Sequence, residues 1–264
     1  MTFGFTEIAE LLADFGAQLD LRFAAGLGRL DVVKKGFVNR DASLKPDAGR
    51  LADPYENRFR CERTRANILC HALYCASLRA RLETAEFLLE LGADVNQEVP
   101  GVNQLGGTVL HALTAGVPFG ASADSRLSDE RRIPMIELVL RHGASVTMRD
   151  SRFHSTPLGS AEHHGATHIF EALAPHAGVH DAVQFGLLDR LRDLLDGDPS
   201  LANARDELGQ TPLHCLNGEA PGVFEIIALL LANGADPDAR DNAGDMPYDK
   251  LQSAGKSDLA ERLR

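Results

Sequence analysis

Gln210-Thr211-Pro212-Leu213-His214, followed by Leu229-Leu230-Leu231-Ala232-Asn233-Gly234-Ala235-Asp236, decides the reading of this chain, because both parts recur upstream. Thr156-Pro157-Leu158, Thr108-Val109-Leu110-His111 and the degenerate Asn67-Ile68-Leu69-Cys70 open similar units. Gly-Ala pairs at Gly16-Ala17, Gly92-Ala93, Gly143-Ala144 and Gly234-Ala235 close them. From Thr211 to its degenerate counterpart Met246 the step is 35 residues, near the roughly 33 expected of a turn plus two short helices.

Each part has a physical reason. The Thr211 hydroxyl is expected to cap a helix, with Pro212, which has no N–H to lose, at its first position. Leu213 and Leu216 give this first helix an apolar side. Phe224, Ile226, Ile227, Leu229, Leu230 and Leu231 give the second a denser one at helical spacing. Gly234 supplies positive φ after the second helix, and Asp236 to Asp241 lead into an outward turn. Ala24 to Val33 reads as a helix-to-helix junction, and Asp181 to Asp206 as a unit without the Thr-Pro start. Ala76 to Arg81 adds enough chain for about one further helical turn. A last pair from Met246-Pro247-Tyr248 carries the polar face of a capping unit.

The Thr-Pro-Leu-His and Gly-Ala motifs resemble those of the ankyrin repeat family, and the resemblance covers most of the chain. It implies an all-α solenoid of six or seven helix–turn–helix units, a single domain over 1–264. The expected divisions are N-terminal units (1–37), an insertion (38–66), central units (67–178), C-terminal units (179–245) and a capping unit (246–264). Two further insertions are placed at 97–106 and 117–130. The second of these is rich in Gly, Ser, Ala and Asp, which favours an exposed loop.

No apolar run is long enough for a membrane span, and the start Met1-Thr2-Phe3-Gly4 lacks the basic residues of a secretory signal, so a cytoplasmic location is expected. Cys61, Cys70, Cys75 and Cys215 form no C-x-x-C or zinc framework and read as reduced thiols in or near helices. The net charge is −11, and residues 181–264 hold 8 Lys plus Arg against 16 Asp plus Glu. This acidic balance argues against nucleic acid, which demands a concentrated positive footprint. Arginines do cluster locally, at Arg58, Arg60, Arg63 and Arg65 and at Arg141, Arg149 and Arg152.

His111 and His214 stand at the last position of the Thr-x-Leu-His motif, where the resemblance implies hydrogen bonds within and between neighbouring units. Six more histidines (His154, His163, His164, His168, His176 and His180) crowd residues 154–180. Gly165 is expected to separate two helices there, so His164 and His168 do not share a secure helical face, and no ligand framework accompanies them. No G-x-S-x-G elbow, phosphate loop or dinucleotide fingerprint is present, and no cofactor or metal is expected.

The expected function is therefore a non-enzymatic binding module for another protein. In the family the chain resembles, turn tips and exposed first-helix positions contact partners. Carried over, this points to Arg149, Arg152, Phe153 and His154 in the fourth turn, to Ser160, His163 and His164 on its first helix, and to His71 and Tyr74 in the second unit. Arg58 and Arg60 in the first insertion complete the set. An aromatic residue in a polar turn is either tucked against the next unit or poised as an anchor. Flanking arginines make an acidic or carboxylate-bearing partner the expected target. Two other classes stay open: an enzyme with a His/carboxylate site built from the insertions and the fourth unit, and a structural subunit of a larger assembly.

Overall fold

The computed structural model describes residues 10–49 apart from 12, 16 and 18, and residues 64–98, 106–115 and 128–263. The described residues are helical and contain no strand; one isolated antiparallel bridge pairs Val38 with Leu44. The chain packs as two compact units, Met1–Ala172 and Leu173–Arg264. The N-terminal unit holds α1 (Leu21–Leu27), α2 (Leu30–Val32, running on as a π turn Val33–Phe37), α3 (Arg65–Ser77) and α4 (Leu82–Glu90). It continues through α5 (Val109–Ala115), α6 (Asp129–Arg141), α7 (Pro157–His163) and α8 (Thr167–Leu173). Within it first helices stack in order, α1 on α3, α3 on α5 and α5 on α7, while α4 packs on α6 in a second layer.

The C-terminal unit holds α9 (Val179–Gln184), α10 (Leu188–Gly197), a 3-10 turn Pro212–Cys215, α11 (Val223–Ala232), α12 (Pro247–Ser253) and α13 (Ser257–Ala260). Here α9, the 3-10 turn and α12 form the first layer, and α10 packs on α11 in the second. The core between the layers is built from Val179, Val183, Leu191, Leu195, Leu213, Ile226, Leu230, Leu251 and Leu259. The described elements thus form seven helix pairs. No single pair could bury so much apolar surface alone; stacking does it.

Three of the four Gly-Ala pairs end second helices as expected, and Gly16 lies outside the described residues. Gly92, Gly143 and Gly234 sit at φ 90°, 83° and 81°, with open space around each Cβ position. Conformation, and not crowding, requires glycine there. The following alanine N–H reaches back to the helix, from Ala93 to Leu88 O, Ala144 to Val139 O and Ala235 to Leu230 O, at 3.0, 2.9 and 3.0 Å.

Three expectations need correction. The helix expected from Pro212 is only a four-residue 3-10 turn, because the chain leaves through Asn217-Gly218-Glu219-Ala220-Pro221-Gly222, where the Asn217 side chain accepts from Glu219 N–H and Pro221 has no donor. Thr211 does cap this turn, in a capping box with His214, and its hydroxyl also engages His214 Nδ1 at 2.9 Å. Thr156 caps its helix likewise, accepting from Gly159 N–H at 3.1 Å. Phe224 and Leu231 do not join the core of α11; they are 53% and 37% exposed. In the second repeat, α3 starts earlier than Asn67, at Arg65 behind the cap Thr64, and its 13 residues accommodate the added chain.

Histidines tie successive pairs together. His111 Nδ1 accepts from Thr108 N–H and its Nε2 donates to Ser155 O, at 3.3 and 3.0 Å. His214 repeats the arrangement with Thr211 N–H and Asp245 O, at 3.1 and 3.0 Å. His180 donates to Gln210 O at 3.0 Å. Each acceptor carbonyl belongs to the residue just before the next first helix is capped. Cys70 holds the same place, its Sγ 3.7 Å from Gln97 O. In His111 and His214 Nδ1 is the acceptor and Nε2 the donor, and burial pushes His111 below the usual imidazole value although the Ser155 carbonyl opposes it.

Candidate partner-binding site

Three outward turns share one construction. In each, an Arg-Asp pair precedes a left-handed residue, and the aspartate accepts backbone N–H groups from the turn it begins. Asp150 accepts from Arg152, Phe153 and Ser155 at 3.0, 2.6 and 3.0 Å. Asp206 accepts from Leu208 and Gln210, both at 2.9 Å, and Asp241 from Ala243 and Asp245 at 2.9 and 3.0 Å. Burial alone would raise the Asp241 carboxyl. Lys250 at 3.0 Å and the Asp245 and Ala243 N–H groups more than offset that and hold it at about 2. The arginines close the turns from outside: Arg149 donates to His154 O at 2.8 Å, and Arg205 to Gly209 O and Arg240 to Gly244 O at 2.7 Å each.

The first of these turns is one residue longer than its sisters. Gly209 and Gly244 follow their aspartates by three positions, whereas His154 follows Asp150 by four. His154 takes the left-handed place of those glycines at φ 51°, a conformation that costs a non-glycine residue about 1–2 kcal/mol. The extra residue carries the chain outward. Phe153 at the tip is 64% exposed, and the Arg152 guanidinium carbon lies 5.2 Å from its ring centroid. Phe153 is therefore not tucked against a neighbour. Behind it the turn is anchored: Ser151 N–H donates to Gly106 O at 2.6 Å, Ser151 Oγ donates to Glu98 at 2.8 Å, and His111 holds Ser155 O.

After this turn comes α7, which ends with His163 and His164, both exposed and packed edge to face at 5.2 Å. His164 Nδ1 donates to Ser160 O at 2.7 Å. Gly165, at φ 64°, separates α7 from α8 as expected. Among the described residues no group of three or more His, Cys, Asp or Glu is placed to hold a metal ion. His168 instead meets Asp129 at 3.2 Å, and Asp129 also receives Arg132, a buried residue that donates to Leu113 O at 2.9 Å.

The other residues expected at the site are not presented there. His71 and Tyr74 are 4% and 3% exposed inside α3; their helix packs against neighbours on more than one side, which corrects their reading as exposed positions. Burial also raises the Tyr74 phenol above its usual range, with the neighbouring Cys75 adding to it. Arg149 is half-buried and serves as the turn's clamp. Arg58, Arg60 and Cys61 lie outside the described residues, as do most of the insertions at 97–106 and 117–130. Cys70, Cys75 and Cys215 are free thiols, and burial pushes Cys75 up to about 11.

Two organising residues escaped the sequence reading. Asn96 donates to Gly143 O and accepts from Ser145 N–H, at 2.8 and 2.7 Å. Asn203 does the same with Gly234 O and Asp236 N–H, at 2.7 and 2.8 Å. For Asn96 the available signal was its place in the run Gly92-Ala93-Asp94-Val95-Asn96; Asn203 has no Gly-Ala pair before it.

Comparison with known proteins agrees with this geometry. The ankyrin repeat family model matches residues 208–242, from one turn tip to the next. The human protein "Ankyrin repeat and SOCS box protein 6" is 31% identical over 142 residues, covering 39% of this chain and 32% of that protein. The mouse "Protein phosphatase 1 regulatory subunit 27" is 36% identical over 88 residues, covering 33% of this chain and 54% of that protein. The Arabidopsis thaliana "Serine/threonine-protein kinase VIK" is 34% identical over 89 residues, covering 34% and 18%. This chain thus spans between about a fifth and about half of the relatives it matches. Stacked helix pairs, left-handed glycine caps, the histidine links between pairs and these matches lead to one conclusion: the fold is that of ankyrin repeats, and residues 208–242 match the ankyrin repeat family itself.

Proposed function

We propose that this chain binds an acidic or carboxylate-bearing segment of another protein through the long turn 149–155, with the exposed His163 and His164 at the C-terminal end of α7. Ankyrin repeats are protein-interaction modules, so the open question is which surface is used and for what chemistry. The observation that carries the reading is Phe153, 64% exposed with Arg152 stacked on it. Arginine and aromatic side chains are the commonest anchors of interfaces, and a guanidinium fork pairs with carboxylates bidentately. Asp150, Ser151 and His111 hold the turn from behind, so little ordering entropy is lost on binding. His154, His163 and His164 extend the same polar, donor-bearing surface.

A binding role also fits the regulatory subunit among the relatives. The match to a kinase covers 18% of that protein and brings no catalytic reading with it. Affinity capture from native extract, with wild-type protein and the Arg152→Ala/Phe153→Ala variant immobilised in parallel, tests the proposal. A protein retained by the wild type and depleted on the variant is expected. Identical captured sets would place the interface elsewhere.

A further inference from the structure

We propose that the solvent side of α11 is a second docking surface, for a basic amphipathic helix of another protein. Ile226, Ile227 and Leu230 are buried and satisfy the core. Phe224, Ala228 and Leu231 stand at i, i+4 and i+7 on the opposite side, all exposed, with Phe224 at 53% and Leu231 at 37%. A surface helix needs one apolar stripe; α11 carries two. The outer stripe has the spacing of the anchors by which helices recognise helices.

Charge selects the occupant. Carboxylates are exposed on the elements next to α11: Asp189, Asp193 and Asp196 on α10, which packs against it, Asp258 and Glu261 at the C-terminal pair, whose Arg262 reaches the Phe224 ring, and Glu225 on α11 itself. Two cations on this surface are already engaged: Arg192 with Asp189 at 3.0 Å, and Arg262 over the Phe224 ring at 5.2 Å. Residues 173–264 hold 8 Lys plus Arg against 16 Asp plus Glu. Such a field attracts a Lys- or Arg-rich helix with an apolar seam and repels both an anionic lipid surface and the same acidic face of a second copy. The proposal does not rest on turn 149–155.

Fluorescence anisotropy with the full chain tests it, using a fluorescein-labelled Leu/Lys amphipathic helical peptide and its Leu/Glu counterpart. The Leu/Lys peptide is expected to bind, more weakly as salt rises. The Phe224→Gln/Leu231→Gln variant, which keeps every charge, should weaken it at least about tenfold, or about 1.4 kcal/mol, with unchanged circular dichroism. Ala228→Lys is a second variant that leaves both large side chains in place, and the same direction is expected. The Leu/Glu peptide should not bind, and Arg152→Ala/Phe153→Ala should leave Leu/Lys affinity unchanged. Equal affinity of wild type and both α11 variants, or equal binding of the two peptides, would overturn the proposal. So would a wild-type dimer that the α11 variants convert to monomer in sedimentation, because the occupant would then be a second copy.

Discussion

Replacing His111 with alanine removes one of the links that hold the candidate turn to the pair before it. The imidazole accepts from Thr108 N–H and donates to Ser155 O, both in buried or half-buried surroundings. Ser155 O retains a second donor, Asp150 N–H at 2.9 Å, and the Thr108 hydroxyl can rotate to another acceptor. The Thr108 N–H is different: it is a helix-start donor at a residue 2% exposed, and the missing imidazole leaves it without a partner. One orphaned buried donor costs about 1–3 kcal/mol and each lost hydrogen bond about 0.5–1.5 kcal/mol, so a loss of roughly 2–4 kcal/mol is expected. Urea unfolding followed by circular dichroism measures it, and hydrogen exchange should show the amides of residues 150–155 opening faster than those of α3. A change below about 0.5 kcal/mol with unaltered exchange would refute the view that these histidines bind one repeat to the next. His214→Ala serves as an internal repeat, since its bonds to Thr211 and Asp245 have the same form.

Leu213→Ala, at a fully buried position in the C-terminal core, should cost about 2–5 kcal/mol; an unchanged denaturant midpoint would mean that the layers stack in another register. His154→Gly should stabilise by about 0.5–1 kcal/mol by relieving its left-handed backbone, and a loss of stability in the same unfolding assay would contradict that strain. Stability should fall with acid in two windows. His111 has a folded value below that of the unfolded chain, about 6.5, so the unfolded state takes the proton first and stability declines as pH drops through that range. Asp241, held at about 2 against an ordinary 3.8, adds stability above about 3.8 that is lost between there and about 2. Lys250→Met should diminish the second decline, and a melting profile identical to wild type across pH 2–5 would argue against the ion pair.

The parts of the fold that the sequence shows are those that repeat. Thr-x-Leu-His reports a local bond from threonine to histidine, and Gly-Ala reports a left-handed cap, so both are visible wherever they recur. Less visible is what depends on a partner distant in sequence. Asn96 and Asn203 look like ordinary loop residues until Gly143 and Gly234 of the next pair are beside them. Tyr74 and His71 look like candidates for a surface because the length of α3 hides how many neighbours enclose it. Phe224 and Leu231 mislead in the other direction, since the apolar run of α11 is wider than its buried side. For the candidate turn, Arg152 and Phe153 were legible as an unusual pair in a polar segment. The role of Arg149 was not, because it emerges only when the three Arg-Asp turns are compared as structures.

The claim at the centre of this account is that Arg152 and Phe153 anchor a carboxylate-bearing partner. Isothermal titration calorimetry with the protein recovered by affinity capture tests it most directly, comparing wild type with Arg152→Ala/Phe153→Ala and with Asp238→Ala, and using circular dichroism as the folding control. The first variant should lose at least about 2 kcal/mol of binding free energy with its helicity intact. The second, at an exposed carboxylate, should bind as well as wild type or more tightly, because it lowers the net negative charge that an acidic partner meets. Equal affinity of wild type and the Arg152/Phe153 variant would contradict the account.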